Sequence, residues 1–275
     1  MRKFVERLVD LRVGALQLLL LLLVFFLPFR LNISSFITSL FTKDELSFEN
    51  MRFYFINLGG NLGIGIFLFF LVLKTIRKKN KDQILNKGDI YHKHSYFWFY
   101  ICSKLLGFTN CNLVLVPIYM QFKLVIRDTF DKYPLDEIFF PESPNNDINV
   151  TIKNQNYDLD KKDLNEINLV LEDTYEIDLN QIPKDKQALK TIKISRNNKN
   201  HLRQYSDLYV NKIITKVREL PNGTILNIFA TTNPKHTYQI VKRAFSLGNR
   251  GNISKIFVYQ QEKDNERLFI KSKKI

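Results

Sequence analysis

Polar and cationic side chains follow each of four predicted strands in the C-terminal half of the chain. In an open parallel sheet, ligands bind outside the carboxyl ends of the strands, so these side chains form one candidate site. Several of them are cations, which favours an anionic ligand, with a nucleotide as the leading example. The predicted ligand-binding residues are Asp173, Arg196, His201, Arg203, Thr231, Thr232, Asn233, Lys235 and His236.

The segment from Thr231 to Pro234 is the sharpest signal within this set, because it reads Thr-Thr-Asn-Pro ahead of a predicted helix. An Asn or hydroxyl cap followed by Pro in the first helical turn exposes backbone N–H groups to an anion. Ordinary helix capping uses the same residue types without any ligand. Both interpretations stay open, and Lys235 and His236 add charge under the first of them.

Catalysis finds less support in the sequence. The chain contains no GxxxxGK[ST] motif, and no GxGxxG motif enters a helix after a strand. Ser195, His201 and Asp173 could form a hydrolytic set at neighbouring strand ends, but no nucleophile elbow accompanies them. The sequence therefore predicts no catalytic residue and favours a protein that is not an enzyme.

Metal and redox chemistry are also disfavoured. His92 and His94 have a spacing that can hold a metal, but histidines beside a membrane segment usually do not. Cys102 and Cys111 match neither a zinc site nor a redox CxxC motif. We predict no metal site and no cofactor.

The elements that would position the site begin at Asn112, where short apolar runs alternate with helical patterns. This alternation is typical of βαβ units and a mostly parallel sheet. The predicted strands are Asn112–Val116, Ile167–Leu171, Thr191–Ser195, Thr224–Ala230, Ile253–Tyr259 and Arg267–Lys271, the last two antiparallel across a turn at 263–265. The predicted helices are Pro117–Phe130, Arg203–Leu220 and Lys235–Leu247 with Gly248 after the last, and a hairpin is expected around Val150–Tyr157. The architecture resembles a Rossmann-like or flavodoxin-like α/β fold.

Two uncharged apolar runs ahead of this region predict transmembrane helices at 13–29 and 53–73. Five basic residues close the second run, namely Lys74, Arg77, Lys78, Lys79 and Lys81. By the positive-inside rule this cluster stays cytoplasmic, so both termini are cytoplasmic and 30–52 is a short outer loop. We expect a multi-pass protein of the cell membrane, with a hairpin at 1–82, a juxtamembrane region at 83–110 and a cytoplasmic α/β domain at 111–275.

The segment from Ser95 to Phe108 is aromatic and apolar, but it is short for a span and contains Lys104. These features favour a helix at the membrane interface, with Trp98 at headgroup level and Lys104 reaching a phosphate. A third span is the alternative, and it would place the rest of the chain outside the cell.

The second predicted helix carries polar and small residues that promote association between helices. Asn57 and Asn61 are four residues apart on one face, and Gly59 and Gly63 form a small-xxx-small pair. We predict oligomerisation through this face. The alternative is that the same residues pack the hairpin within one chain.

The formal net charge of +14 is distributed unevenly. Residues 128–187 contain 6 basic and 15 acidic side chains, whereas residues 188–275 contain 18 basic and 5 acidic ones. A strongly basic region attracts anionic partners. The alternative is that the acidic and basic stretches fold against each other and neutralise their charge.

The leading functional hypothesis is a membrane-anchored sensor or effector whose α/β domain binds an anionic, nucleotide-type ligand and signals to oligomerising transmembrane helices. This layout resembles that of bacterial membrane effectors of anti-phage signalling, which implies a role in bacterial defence. The expected partners are the lipid bilayer, the anionic ligand and further copies of the chain. A membrane scaffold that recruits a protein partner is the alternative, and a membrane-tethered hydrolase is the third hypothesis.

Overall fold

The computed structural model describes residues 2–39, 50–86, 90–135, 141, 150–156, 165–196, 204–245, 252–262 and 266–275, with side chains omitted for 2–11, 38 and 50–58. The chain divides into two compact units. The first, residues 1–90 and 97–110, is called the membrane unit below. The second, residues 91–96 and 111–275, is called the α/β unit. The predicted domain ranges stay predictions.

The membrane unit contains two long helices, α1 (Arg2–Leu31) and α3 (Asn50–Asn80), with the short helix α2 (Ile33–Ser39) between them. Within the described residues, Arg12–Leu31 and Gly59–Asn80 are long and apolar enough to cross a bilayer. Their large apolar side chains point outward, and Phe67 is 66% exposed. Such a surface suits lipid and not the core of a soluble protein, which agrees with the predicted spans.

Polar contacts hold α3 at both ends of this hairpin, to α1 at one end and to the start of α2 at the other. The side chain of Asn61 accepts a hydrogen bond from the Ser34 N–H (3.0 Å) and donates one to Asn32 Oδ1 (3.1 Å). Gln17 and Asn80 exchange two side-chain amide hydrogen bonds of 2.9 and 2.8 Å. Asn61 therefore makes contacts within the chain, while the side chain of Asn57 lies outside the described residues.

The glycines of α3 fall into two groups. A Cβ atom on Gly65 would lie 2.6 Å from the backbone oxygen of Phe25, and one on Gly60 would lie 2.9 Å from Ser34 Cβ. Within the described residues, a Cβ atom on Gly59 or Gly63 would meet no atom from another part of the chain within 4 Å. The predicted association through Gly59 and Gly63 stays a prediction, and the hairpin itself packs on Gly60 and Gly65.

A short helical segment follows the hairpin, after strand β1 (Ile84–Leu85). It consists of α4 (Tyr96–Tyr100) and a π-helical turn (Ile101–Leu105), and strand β2 (Asn110–Cys111) comes after it. Ten helical residues extend only about 15 Å, half the thickness of the hydrocarbon core. This length is too short for a third span and is compatible with the predicted interfacial helix.

The α/β unit is built on a six-stranded sheet. Its strands are β3 (Val150–Gln155), β4 (Glu166–Glu172), β5 (Lys190–Arg196), β6 (Thr224–Ala230), β7 (Ile253–Gln261) and β8 (Phe269–Lys274). Their order across the sheet is β3-β5-β4-β6-β7-β8; the four central strands are parallel, and the edge strands β3 and β8 are antiparallel to their neighbours. The sheet-containing α/β fold confirms the coarse prediction, and the Rossmann-like assignment stays a prediction.

The helices of the α/β unit separate the strands along the chain. They are α5 (Ile118–Ile126), a 3₁₀ turn (Leu179–Gln181), α6 (Lys184–Gln187), α7 (Asp207–Arg218), and α8 (Pro234–Ile240) with a π-helical turn (Val241–Phe245). The inward side chains of α7 include Tyr209, Val210 and Ile213, all buried at the helical spacing that an amphipathic helix requires.

Three predicted elements differ from the structure. Asn112–Val116 is not a strand, because the Asn112 side chain accepts a hydrogen bond from the Val114 N–H and Leu115 has a positive φ of 58°. Around Val150 there is a single strand paired with β5 instead of a hairpin. The helix predicted from Arg203 begins at Asp207, where Ser206 caps it. Gly248 and the turn at 263–265 lie outside the described residues.

Candidate functional site

The strand order places the carboxyl ends of β4 and β6 side by side at the centre of the sheet. The chain passes from β4 to β5 on one side and then returns to place β6 on the other side of β4. At such a reversal the connections leave the sheet in opposite directions, which is where open α/β sheets commonly bind ligands. Asp173 follows β4 directly at this point, and Thr231 follows β6.

Asp173 is the centre of a buried ionic network. Its Oδ1 atom lies 2.7 Å from Arg196 Nε, and its Oδ2 atom lies 2.7 Å from His236 Nδ1. The backbone N–H of Asn233 donates a third hydrogen bond, to Oδ2, at 2.9 Å. The network therefore joins the ends of β4 and β5 to the start of α8.

The hydrogen bonds assign different partners to the two ring nitrogens of His236. Its Nε2 atom accepts a hydrogen bond of 2.8 Å from the backbone N–H of Ser206, which is always a donor. With Nε2 as the acceptor, Nδ1 is the ring atom that donates a hydrogen bond to Asp173 Oδ2. The imidazole also contacts the rings of Tyr205 and Tyr209, each at 5.2 Å between centroids.

The environment of Asp173 keeps its carboxyl group ionised. Burial by itself raises the pKa of Asp173, but the contacts from His236, the charge of Arg196 and the Asn233 N–H together hold that pKa below its usual range. The side chain of Arg196 is only 2% exposed, and that of Asp173 is 0% exposed. A buried ion pair of this kind costs desolvation, so both partners are needed to keep it.

The loops after β4 and β6 are bonded directly to each other. Thr231 Oγ donates a hydrogen bond of 2.7 Å to the carbonyl of Tyr175, and Thr174 donates through both its N–H and its hydroxyl to the carbonyl of Thr231. Thr232 hydrogen-bonds the hydroxyl of Thr237 at 2.8 Å. Within the described residues, these contacts join the two loops at the strand ends where the sequence predicts the ligand-binding site.

The helix start at Asn233 is satisfied internally. Asn233 Oδ1 accepts the N–H of His236 at 2.9 Å, which is ordinary capping, and the N–H of Asn233 is bound to Asp173. The polar side chains of Thr231, Thr232 and Asn233 therefore bond groups of the protein itself. A ligand role for these residues stays a prediction.

The predicted cations have different positions. Arg196 was predicted to contact a ligand directly. Its side chain is instead buried, and Asp173 compensates its charge. Lys235 lies at the edge of the network, with Nζ 4.9 Å from the centre of the Tyr205 ring. His201 and Arg203 lie outside the described residues. At the end of β7, Gln260 Oε1 accepts the N–H of Ile118 at the start of α5.

The hydrolytic set of Ser195, His201 and Asp173 is not assembled in the described residues. Ser195 donates to Glu172 Oε2, and Lys193 pairs with the same carboxylate at 2.6 Å. Successive side chains of a strand point to opposite faces, so Ser195 lies across the sheet from Arg196 and its partner Asp173. The histidine bound to Asp173 is His236, whose Nε2 is already occupied and cannot accept a substrate proton.

Two other predictions concern metals and charge. Within the described residues, no group of three His, Cys, Asp or Glu side chains could hold a metal ion. The acidic and basic stretches do pair in part, through Asp173 with Arg196, Glu172 with Lys193 and Asp128 with Lys242. Folding of the two stretches against each other therefore accounts for some of the charge asymmetry.

Sequence reasoning missed Tyr205, Ser206 and Tyr209, which surround His236. It placed them inside a helix that began at Arg203. The Ser206-Asp207 pair is a recognisable helix start, and reading it as an N-cap would have placed Tyr205 in the preceding loop.

Two apolar helices with lipid-suited surfaces, combined with an α/β unit that carries a buried ionic network, define a membrane-anchored α/β protein. Over residues 1–275 the chain matches the family described as the SMODS- and ubiquitin system-associated 2TM effector domain. The chain belongs to this family of effector domains. No curated protein sequence matches it.

Solved structures show distant similarity. One is the Acinetobacter baumannii Cap4 SAVED/CARF-domain containing receptor with the cyclic trinucleotide 2'3'3'-cAAA, at 8% identity and a TM-score of 0.40, over 64% of this chain and 40% of the receptor. The same receptor with 3'3'3'-cAAA matches at 9% identity and a TM-score of 0.38, over 63% of this chain and 40% of the receptor. The chain thus spans less than half the length of the receptor, and similarity at this level does not transfer a ligand.

Proposed function

We propose that the chain is a membrane-anchored effector of bacterial defence, whose α/β unit senses an anionic, nucleotide-type ligand and signals to associating transmembrane helices. The observation that carries the proposal is the Asp173–Arg196–His236 network at the reversal of strand order. Ionisable groups with shifted pKa values at such a point are typical of functional sites. Membership of an effector family with two transmembrane helices supports the membrane half of the proposal.

The accessible part of the site is the edge of the network around Lys235 and Tyr205. A half-buried tyrosine ring beside an ammonium group can stack on a base while the cation contacts a phosphate. Arg196 acts indirectly in this arrangement. Its charge keeps the Asp173 carboxylate in place, and Asp173 in turn bonds the N–H of Asn233, two residues before Lys235. His201 and Arg203 precede Tyr205 in the chain, and we propose them as further ligand contacts.

The ligand is tested by calorimetric titration of the full chain in detergent with cyclic triadenylate and with linear triadenylate. We expect binding to be weakened about tenfold in Lys235→Ala, because one charge-assisted hydrogen bond contributes about 1.5–3 kcal/mol. Lys255→Ala is the matched control, since Lys255 is an exposed lysine near the start of β7, at the opposite end of the sheet. Absence of binding, or equal affinities in the two variants, would refute this site and favour the protein-recruiting scaffold.

We propose that both termini are cytoplasmic, because the basic residues clustered at the C-terminal end of α3 resist transfer across the membrane. A cysteine introduced at Ser39 should react with an impermeant thiol reagent in intact cells. A cysteine at Lys271 should react only after the membrane is made permeable. Labelling of Lys271→Cys in intact cells would contradict the proposed orientation and place the C-terminus outside the cell.

A further inference from the structure

Three elements of the membrane unit meet at one end of the hairpin. A Cβ atom on Gly14 of α1 would lie 2.8 Å from the Trp98 ring, so the glycine provides room for that ring. Asn80 at the end of α3 bonds both Gln17 and the carbonyl of Leu106. These contacts bring α1, the end of α3 and the segment 98–106 together at this end of the hairpin.

Arg77 of α3 bonds the third element, the π-helical turn Ile101–Leu105, to this end of the hairpin. Its Nη1 atom donates to the carbonyls of Lys104 (2.6 Å) and Leu105 (3.2 Å), which terminate the π-helical turn. Gly107 adopts a positive φ of 79°, and a Cβ there would lie 3.0 Å from Arg77 Cβ. The guanidinium is thus used for capping, and the other cations of this end are left to interact with the surroundings.

Six exposed cations surround this end of the membrane unit, and within the described residues none of them has an ion pair. They are Arg12, Lys74, Lys78, Lys79, Lys81 and Lys104. The described acidic side chain of this unit is Asp82, which is also exposed. The local charge is therefore strongly positive.

One face of the segment 97–104 combines aromatic and cationic side chains. Phe97 is 69% exposed and Tyr100 47% exposed, and Lys104 is exposed at the next helical position on the same side. Phe99 and Cys102 on the opposite side are fully buried. An aromatic and cationic face of this kind suits the headgroup layer, where rings contact acyl chains and ammonium groups contact phosphates.

Exposed apolar side chains of α1 lie next to the exposed cations. Val13 and Leu16 of α1 are more than half exposed beside Arg12, so charge and hydrocarbon surface adjoin without a polar border. A nucleic acid or an acidic protein would meet only the charges, whereas a bilayer meets both surfaces at once. We propose that this end of the membrane unit binds anionic phospholipid headgroups, and that Phe97, Tyr100 and Lys104 enter the headgroup layer.

Trp98 is the chain's single tryptophan and lies within this surface, so it reports the lipid around it. The full chain is reconstituted in nanodiscs of three parts phosphatidylcholine to one part phosphatidylglycerol. The acyl chains of either lipid are brominated in turn, at equal mole fraction, to quench Trp98. We expect brominated phosphatidylglycerol to quench several times more effectively, and the preference to fall at high salt.

Neutralising Lys78, Lys79 and Lys104 together as glutamines should abolish this preference, since each basic residue near an anionic surface changes lipid association about fivefold. The matched control neutralises Lys271, Lys273 and Lys274 on the exposed strand β8, and it should retain the preference. Equal quenching by the two lipids in the wild type would overturn the proposal. Equal loss in the control would also overturn it, because net charge alone would then be sufficient.

A second variant tests the aromatic face independently of charge. Replacing Phe97 and Tyr100 by serine should reduce quenching by both brominated lipids at least twofold, because the segment would withdraw from the acyl chains. Circular dichroism should show unchanged helix content in this variant. Undiminished quenching would show that the face does not enter the headgroup layer.

Discussion

Replacing Asp173 by Asn is expected to lower the melting temperature of the full chain by about 10 °C, because removing one partner of a buried ion pair costs about 3–5 kcal/mol. The substitution keeps the shape of the side chain, but Arg196 is left buried without a compensating charge. Far-UV circular dichroism of the protein in detergent follows the transition. The control is Asp128→Asn, which removes an exposed partner of Lys242 and should change the melting temperature little.

The double variant Asp173→Asn with Arg196→Met separates charge from packing. Removing both charges should recover most of the lost stability, as replacement of buried ion pairs by apolar residues often does. If the double variant is as unstable as Asp173→Asn, the loss comes from the bonds to His236 and Asn233 instead. If Asp173→Asn is as stable as Asp128→Asn, the network does not support the fold.

The same network predicts a pH dependence with a defined sign. The pKa of Asp173 in the folded protein is below its usual value of 3.8, so its contribution to stability is complete above that value. It is lost as pH falls through the folded-state pKa. The difference in unfolding free energy between the wild type and Asp173→Asn should therefore be constant near neutral pH and shrink below about pH 4. A difference that grows on acidification would contradict an ionised Asp173.

Replacing Gly65 by Leu is expected to disrupt the packing of α1 on α3. Its Cβ would lie 2.6 Å from the carbonyl oxygen of Phe25, which belongs to the backbone and cannot rotate away. Overpacking typically costs about 1–3 kcal/mol, and a backbone clash belongs at the upper end. The measurement is thermal unfolding of the membrane unit within the full chain, followed by the fluorescence of Trp98, which packs against Gly14.

Gly63→Leu is the matched control for hairpin packing, because a Cβ at Gly63 would meet no atom from another part of the described chain within 4 Å. This variant should leave the Trp98 transition unchanged while weakening self-association in a membrane two-hybrid assay. Unchanged self-association would remove the support for oligomerisation through Gly59 and Gly63. Equal destabilisation by both substitutions would contradict the packing of α1 on α3 at Gly65.

The role of Asn61 in association requires a separate comparison. Its amide bonds Ser34 and Asn32 within the chain, so Asn61→Leu should destabilise the hairpin before it affects any contact between copies. Asn57→Leu should weaken association without this loss if Asn57 faces a second copy. The two substitutions together cannot distinguish these effects, and each has to be measured alone.

The sequence by itself indicated two segments apolar enough to span a membrane and the four central strands of the sheet, but it misplaced a strand at Asn112–Val116 and missed the pairing of the edge strand β3. Uncharged runs long enough to span a bilayer have few alternatives, and β4 and β6 are apolar enough to be recognised as buried strands. In β5 the apolar residues alternate with polar ones, which is the pattern of a strand with one apolar face. It also located the strand ends where Asp173, Arg196 and Thr231 lie, because topology brings the carboxyl ends of parallel strands to one edge. These conclusions depend on composition and order along the chain.

The tertiary structure alone decided what the side chains at that edge contact. Arg196 and Asp173 are 23 residues apart, and His236 is 63 residues from Asp173, so no local pattern predicts that they satisfy one another in the interior. The same reason explains Asn61, whose partners lie 27 residues away in α2 and 29 residues away between α1 and α2. Sequence spacing predicts a shared edge or face, but only packing determines whether a polar group meets a ligand, another copy or its own chain.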